Sequence, residues 1–401
     1  MTTTLCQWGM LVVLTKLLSA VEVGYYSLAL AITSPIVVFT TLQLRSVQVT
    51  DTKNEFYFQD YLGVRLVTNF FAMAIVAGVL TFLAGRYAWT VYSVVLLVGL
   101  NKVVEATSDI SYGLWQKKER LDKVALSMIY RNIGAVCLLA ILVKFTGSLV
   151  LGAASIGIFW LFMVFFFDKR NVQQFEKFGA RFDKAAIKKL VIMGLPLGIV
   201  VGIMSLNVFM SRYFIEGYCG SASLGYFSAM AYVVVGVSQV SLALGQSLQA
   251  RLAQYYVSNR KAFVLLLCKA SAVAVFLGIC IVLFGVYFGK TFLSIIYTPE
   301  YAEHNDVFTW LMIGTGVLIS GSMLGYGLTA ARRFKSQVPI AALVCIISFF
   351  GSWLFVPRYG MMGAAIVMLL STVIQWLAYL VVLLAALMLP LELSQRETDD
   401  E

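Results

Sequence analysis

Long apolar runs separated by short polar connectors extend along almost the whole sequence. A helix needs about 20 mostly apolar residues to cross a bilayer, so such runs predict spanning helices. The runs lie near residues 4–19, 22–44, 61–83, 88–113, 121–143, 148–167, 190–211, 222–250, 263–288, 307–331, 337–356 and 360–389. We therefore expect an all-α membrane protein with about 12 transmembrane helices. The first run is short for a span, which predicts a truncated first helix or a misassigned start.

One connector, from Asp168 to Leu190, differs from the others in its charge. It holds seven of the 30 Lys and Arg residues: Lys169, Arg170, Lys177, Arg181, Lys184, Lys188 and Lys189. It separates two apolar halves of similar length. The predicted organisation is an N-terminal six-helix bundle (1–167), a basic connector (168–189), a C-terminal six-helix bundle (190–391) and an acidic tail (392–401).

The distribution of basic residues predicts the orientation of the chain. Cytoplasmic loops of membrane proteins accumulate Lys and Arg. The connectors on the same side as the basic connector carry most of the other Lys and Arg residues outside the helices. We therefore expect a multi-pass protein with both termini in the cytoplasm.

Composition excludes several functional classes. Hydrophobic residues make up 60% of the chain and charged residues 12%, against about 25% charged in soluble domains. Membrane topology explains the net charge of +10, so we expect no nucleic-acid partner. The six cysteines form no CxxC pair, and the single histidine, His304, lies beside Glu300 and Glu303 in a connector typical of a solvated loop. We expect no metal site, no cofactor and no catalytic residues, because no ATPase or hydrolase motif is present.

Charged residues inside the predicted helices are the strongest functional signal. Lys102, Glu105 and Asp109 follow at intervals of three and four, which places them on one helix face. Arg131 falls near the middle of the next helix. A buried ionisable group costs at least about 2.5–3.5 kcal/mol and needs a partner or an aqueous cavity. Two interpretations stay open: an ion pair of Arg131 with Glu105 or Asp109, or a cavity in which Lys102 and Arg131 bind an anion. Glu105 or Asp109 could also carry a coupling ion.

Other polar positions are weaker candidates. Arg45 and Arg65 lie at cytoplasmic helix ends, where they either guard an entrance or extend to the interface. Arg212 lies towards the outer end of its helix and is a further candidate for anion binding. Side-chain amides suit either sugar hydroxyls or a neighbouring helix, and the candidates are Asn207, Gln239, Gln246 and Gln249.

Glycine and proline residues suggest bending. Pro35 interrupts the second helix, and Gly194, Pro196 and Gly198 lie together in the seventh. Small residues at every fourth position permit close helix packing, and proline permits a bend. Close packing and a functional hinge are both consistent with this pattern.

Several stretches together resemble bacterial polysaccharide or O-antigen flippases of the Wzx type. They are CQWGMLVVLTKL (6–17), VGYYSLALAITSPIVVFTTLQLRSVQVTD (23–51), LPLGIVVGIMSLNVFMSRYFIEGYCGSASLGYFSAMAYVVVG (195–236), GQSLQARLAQYY (245–256) and YTPEYAEHNDVFTWLM (297–312). These flippases belong to the MOP exporter superfamily, with lipid II flippases and multidrug and toxin extruders.

The resemblance implies two six-helix bundles around a central cavity that opens alternately to each side of the bacterial inner membrane. It implies a polyprenyl-diphosphate-linked oligosaccharide as cargo, moved between leaflets among membrane lipids, with the diphosphate in a cationic cavity of the first bundle. It also suggests a polysaccharide polymerase and a chain-length regulator as protein partners.

The alternative is a drug/cation antiporter of the same fold, which should have an acidic cavity. A polymerase or glycosyltransferase would need a larger soluble region than these connectors provide, and a membrane scaffold would leave the intramembrane charges without a function.

Overall fold

The computed structural model describes residues 2–51 and 53–388, except for the side chains of residues 2, 334 and 335. The predicted acidic tail (392–401) and the end of the predicted C-terminal bundle lie outside the described residues. The helices are α1 (Thr2–Leu17), α2 (Ala20–Thr40), α3 (Leu44–Thr50), α4 (Phe58–Phe82), α5 (Trp89–Lys117), α6 (Leu121–Thr146), α7 (Leu149–Met163), α8 (Lys169–Val172), α9 (Lys184–Ser258), α10 (Arg260–Ile296), α11 (Pro299–Ala302), α12 (Asn305–Ala330) and α13 (Phe334–Met388). A π-helical turn, Val164–Asp168, joins α7 to α8.

Two glycines divide the longest helices into arms. Gly220 in α9 has φ 81° and Gly360 in α13 has φ 57°, values in the left-handed region that glycine adopts readily. Each of the four arms exceeds the about 20 residues that a span requires. With the arms counted separately, the described part of the chain contains twelve long helical segments. The predicted all-α membrane fold is confirmed.

Local sequence explains several helix ends. Ser19 caps α2, since its hydroxyl accepts from the Glu22 N–H and the Glu22 carboxylate accepts from the Ser19 N–H. Gly147 ends α6 with φ 61°. After α2, Leu42 and Gln43 both adopt left-handed backbone, with φ of 50° and 48°. This turn separates α3 from α2 and positions Arg45 in α3.

The basic connector is shorter than expected, and one of its predicted residues is not water-facing. The sequence places Asp168 at the start of the connector, but the structure corrects this: Asp168 ends the π-helical turn and is fully buried. The connector between the predicted helices 190–211 and 222–250 is also helical, apart from the break at Gly220. In both places a serine hydroxyl donates to a carboxylate: Ser127 donates to Asp168, and Ser221 donates to Glu216.

The connector is bound to the start of α4. The Arg181 N–H donates to the Gln59 carbonyl at 2.9 Å, and the Phe58 N–H donates to the Glu176 carboxylate at 2.9 Å. Because Gly63 lacks a Cβ, α4 can approach the backbone of Arg181 closely.

The described residues form two compact units that divide between Phe209 and Met210, within α9. In the N-terminal unit, a core cluster surrounds the fully buried Trp115 and includes Tyr61, Tyr112 and Leu190. In the C-terminal unit, a cluster around Phe263 and Leu328 packs α9, α10, α12 and α13 together. Each unit thus has its own apolar core.

Candidate functional site

A cavity of about 310 Å³ lies inside the N-terminal unit. It contains four of the charged residues singled out in the sequence, namely Lys102, Glu105, Asp109 and Arg131. Residues of α1, α2, α5 and α6 line it, together with Thr41 at the end of α2. The remaining lining residues are Thr3, Ser34, Val37, Val38, Thr41, Ala106, Tyr112 and Met128. We call this cavity the basic pocket.

Arg131 is the most buried charge in the basic pocket, at 2% exposure. Its guanidinium carbon lies 4.9 Å from the centre of the Trp160 ring and 5.5 Å from that of Tyr112. These distances are typical of cation–π contacts. Its Nη2 is 3.6 Å from Glu105 Oε1, while Nε and Nη1 have no hydrogen-bond partner among the described residues. Arg131 therefore has two buried hydrogen-bond donors that no described residue satisfies.

Glu105 lies between the two basic groups of the pocket. Its Oε2 is 2.9 Å from Lys102 Nζ, and its Oε1 faces Arg131. The i, i+3 spacing of Lys102 and Glu105 on α5 produces the first contact. One carboxylate thus partly neutralises two cations.

Arg45 and Asp109 form a second ion pair beside the pocket. Arg45 Nη1 donates to Asp109 Oδ1 at 3.1 Å, and the other guanidinium nitrogens donate to the Gln116 amide oxygen at 3.1 and 2.9 Å. The Arg45 guanidinium also lies 5.7 Å from the Tyr112 ring. Tyr112 therefore contacts both Arg45 and Arg131.

Arg65 is fully buried in α4 and is not one of the described residues that line the pocket. Its three guanidinium nitrogens lack a hydrogen-bond partner in the described part of the chain, and it interacts electrostatically with Asp109. Burying a guanidinium without hydrogen-bond partners costs free energy, and a nearby carboxylate lowers that cost. Asp109 thus interacts with both Arg45 and Arg65.

Sequence reasoning missed a buried polar chain next to Arg131. Asp168 Oδ1 accepts a hydrogen bond from the Ser127 hydroxyl at 2.8 Å, and the Ser127 and Tyr112 hydroxyls are 3.2 Å apart. Asp168 also interacts electrostatically with Arg131. The aromatic partners Tyr112 and Trp160 were missed as well. The sequence feature that could have indicated the burial of Asp168 is its position directly after an apolar run.

Of the candidate glutamines in the C-terminal unit, one lines a cavity. Gln239 lines a cavity of about 440 Å³ inside that unit, whereas Gln246 and Gln249 are not among its described lining residues. Arg212 is buried, with its guanidinium 5.7 Å from the Tyr232 ring. Asn207 belongs to the N-terminal unit.

The residues proposed as hinges are placed in two helices of the N-terminal unit. Pro35 lies within α2 and Pro196 within α9. A Cβ on Gly194 would be 2.5 Å from the Leu42 carbonyl oxygen, and one on Gly198 would be 2.8 Å from the Phe39 carbonyl oxygen. Close packing of α9 on the end of α2 therefore accounts for these two glycines, and bending at the prolines stays a prediction.

Comparisons with known proteins agree with the resemblance seen in the sequence. Residues 1–255 match the family model described as polysaccharide biosynthesis protein. The chain is 28% identical over 380 residues to the capsular polysaccharide biosynthesis protein CapF of Staphylococcus aureus, covering 94% of each protein.

Solved structures show the same fold. A multidrug resistance transporter of the MATE family, from the MOP superfamily and in an inward-facing conformation, aligns with a TM-score of 0.77 at 10% identity, covering 96% of this chain and 95% of that one. The lipid II flippase MurJ, in an inward closed conformation, aligns with a TM-score of 0.73 at 14% identity, covering 99% of this chain and 88% of that one.

Proposed function

This chain belongs to the polysaccharide biosynthesis protein family, and from that membership and the basic pocket we propose that it is a flippase for lipid-linked oligosaccharides. The cargo is an oligosaccharide repeat unit on a polyprenyl diphosphate. The protein moves it from the cytoplasmic to the periplasmic leaflet of the bacterial inner membrane. The basic connector faces the cytoplasm, as the positive-inside rule predicts.

The observation that carries this proposal is the state of Arg131. It is almost fully buried, lines a cavity and has two guanidinium nitrogens without a hydrogen-bond partner in the described structure. Arginine suits phosphate because its planar fork donates two parallel hydrogen bonds. Nε and Nη1 do not share an edge of the guanidinium, so a diphosphate would form a two-bond fork through Nη2 together with one of them, in competition with Glu105.

The balance of charge supports an anionic cargo. Four basic side chains, Arg45, Arg65, Lys102 and Arg131, are held together with the carboxylates of Glu105 and Asp109. Two basic and two acidic residues line the pocket. Arg45, Arg65 and Asp168 interact with these residues and leave one basic group in excess over the whole cluster. Charges in an environment less polar than water attract an anion more strongly. The same balance disfavours the drug/cation antiporter, which needs an acidic cavity.

Transport requires the pocket to open alternately to the two sides of the membrane. Bending of α2 at Pro35 and of α9 at Pro196 provides that change, because an intrahelical proline lacks one backbone hydrogen bond. Glu105 or Asp109 binds the coupling ion. Lys102 and Arg131 hold Glu105 in its charged form in the empty pocket, so Glu105 could take up a proton only once a diphosphate has displaced it from these two basic groups.

A flipping assay in vesicles tests this proposal. Vesicles contain purified protein and a polyprenyl-diphosphate oligosaccharide with a fluorescent sugar tag, which external dithionite reduces only in the outer leaflet. The protein should make the inner-leaflet tag accessible, and Arg131→Ala should abolish this effect. The control is Arg120→Ala, which removes an exposed arginine paired with Asp122. Uptake of ethidium without movement of the tagged lipid would instead support the antiporter.

A further inference from the structure

The cavity of about 440 Å³ in the C-terminal unit differs in chemistry from the basic pocket. Residues of α9, α12 and α13 line it, and its polar groups are hydroxyls and amides, from Ser238, Gln239, Ser322, Gln337 and Gln375 among others. None of the described residues that line it carries a charge. Its volume lies within the range of small-ligand sites.

Aromatic rings form part of the same cavity, and glycines determine where they lie. A Cβ on Gly321 would be 3.3 Å from Trp376 Cδ1, and one on Gly325 would be 3.1 Å from Tyr379 Cε2. The rings of Trp376 and Tyr379 therefore pack directly against the α12 backbone. This contact holds both rings at the cavity wall.

The amides are oriented but retain hydrogen-bonding capacity. Gln375 Nε2 donates to the Tyr379 hydroxyl at 3.0 Å, and Gln337 Nε2 donates to Thr329 Oγ1 at 3.2 Å. A glutamine amide has two N–H donors and one carbonyl acceptor. Each side chain thus keeps a donor and an acceptor that can reach a ligand in the cavity.

We propose that this cavity binds uncharged sugar residues of the transported oligosaccharide, with a pyranose face against Trp376 and its hydroxyl groups bonded to the amides. The inference rests on the proposed flippase function and adds a second contact for the same cargo. Aromatic rings match the apolar C–H face of a sugar, and amides match its hydroxyls. A uronate or phosphate group would be buried there without a counter-charge, which is unfavourable. The site therefore selects neutral sugars.

Saturation-transfer NMR on the protein in lipid nanodiscs tests this site. The probes are three uncharged methyl glycosides, of glucose, galactose and N-acetylglucosamine, and the charged methyl glucuronide. At least one uncharged glycoside should give saturation transfer, and methyl glucuronide should give none. The signal should fall at least about fivefold in Trp376→Ala and in Gln375→Leu, since each change removes a sugar contact. Gln375→Leu preserves side-chain bulk in case Trp376→Ala disturbs folding.

The matched control is Trp353→Ala, because the Trp353 side chain is 57% exposed and is not one of the described lining residues. Its signal should equal that of the wild type. Signal that persists in both pocket variants, or equal signal from methyl glucuronide, would overturn the sugar site. Wild-type protein that flips the tagged lipid but binds none of the three uncharged glycosides would overturn the sugar site alone. Glycoside binding without flipping would overturn the flippase function instead.

Discussion

Arg131 Nη2 lies 3.6 Å from Glu105 Oε1, while the other oxygen of the same carboxylate is 2.9 Å from Lys102 Nζ. The two interpretations left open by the sequence, an ion pair and an anion-binding cavity, are therefore compatible. Glu105 partly neutralises both basic groups, and under the proposed function an incoming diphosphate would compete with it for them. The charge of Glu105 should thus determine how strongly the pocket binds an anion.

Replacing Glu105 with glutamine should strengthen diphosphate binding. Glu105→Gln keeps the shape of the side chain but removes its charge, so Lys102 and Arg131 become available to a ligand. We expect the affinity for farnesyl diphosphate to rise about tenfold, the effect of one charged hydrogen-bonding partner. Flipping should also lose its response to a pH gradient. Isothermal titration calorimetry and the vesicle assay measure the two effects.

Glu119→Gln is the matched control, since Glu119 is an exposed carboxylate in the connector between α5 and α6. It should leave both measurements unchanged. A full response to the pH gradient in Glu105→Gln and also in Asp109→Asn would remove both carboxylates as coupling groups.

The sequence was sufficient for the fold but not for the details of the site. Apolar runs long enough to span a bilayer predict the helices almost directly, because the bilayer requires satisfied backbone hydrogen bonds. The i, i+3 spacing also brought Lys102 and Glu105 together as expected. In contrast, the burial of Asp168 depends on a π-helical turn and on Ser127 of another helix, which no local pattern shows.

The amides of α9 illustrate the same limit. Gln239, Gln246 and Gln249 share a helix face in the sequence, yet Gln239 lines the C-terminal cavity and the other two are not among its described lining residues. A helix face extends along the whole helix, whereas a cavity occupies only a few turns of it. Which turn faces the cavity depends on α12 and α13, which are distant in sequence.

Gly194 should not tolerate a side chain. In Gly194→Ala the new Cβ would be 2.5 Å from the Leu42 carbonyl oxygen, a backbone atom that cannot move without shifting the end of α2. We expect the free energy of unfolding to fall by about 1–3 kcal/mol, as for other overpacked sites. Thermal unfolding of the purified protein measures this change.

Gly217 provides the comparison, because a Cβ there would meet no atom within 4 Å and Gly217 lies in the same helix. Gly217→Ala should keep or raise the stability, since alanine favours helices by about 1 kcal/mol over glycine. Equal losses in the two variants would show that the contact with Leu42 is not the cause.

Asp51 should make stability depend on pH. Burial opposes its ionisation, but the N–H groups of Glu55 and Phe56 donate to its carboxylate, and Lys117 lies 3.6 Å away. These interactions outweigh burial and hold the pKa of Asp51 below its ordinary value, which is about 3.9.

The sign of the effect follows from this depressed pKa. The charged carboxylate stabilises the folded protein above the ordinary pKa, and its contribution is lost as the pH falls through the lower folded-state pKa. Wild type should therefore unfold at a higher temperature than Asp51→Asn at pH 6–7, and the difference should shrink below about pH 4. A difference that is constant from pH 7 to pH 3 would rule out this contribution from the Asp51 charge.

The most direct test of the central claim is lipid extraction from cells that lack this gene. The account predicts that polyprenyl-diphosphate oligosaccharide accumulates on the cytoplasmic face of the membrane. Wild-type protein and Arg120→Ala should clear it, and Arg131→Ala expressed at the same level should not. Absence of accumulation would contradict the flippase function. Complete rescue by Arg131→Ala would show that Arg131 serves only in a structural ion pair with Glu105.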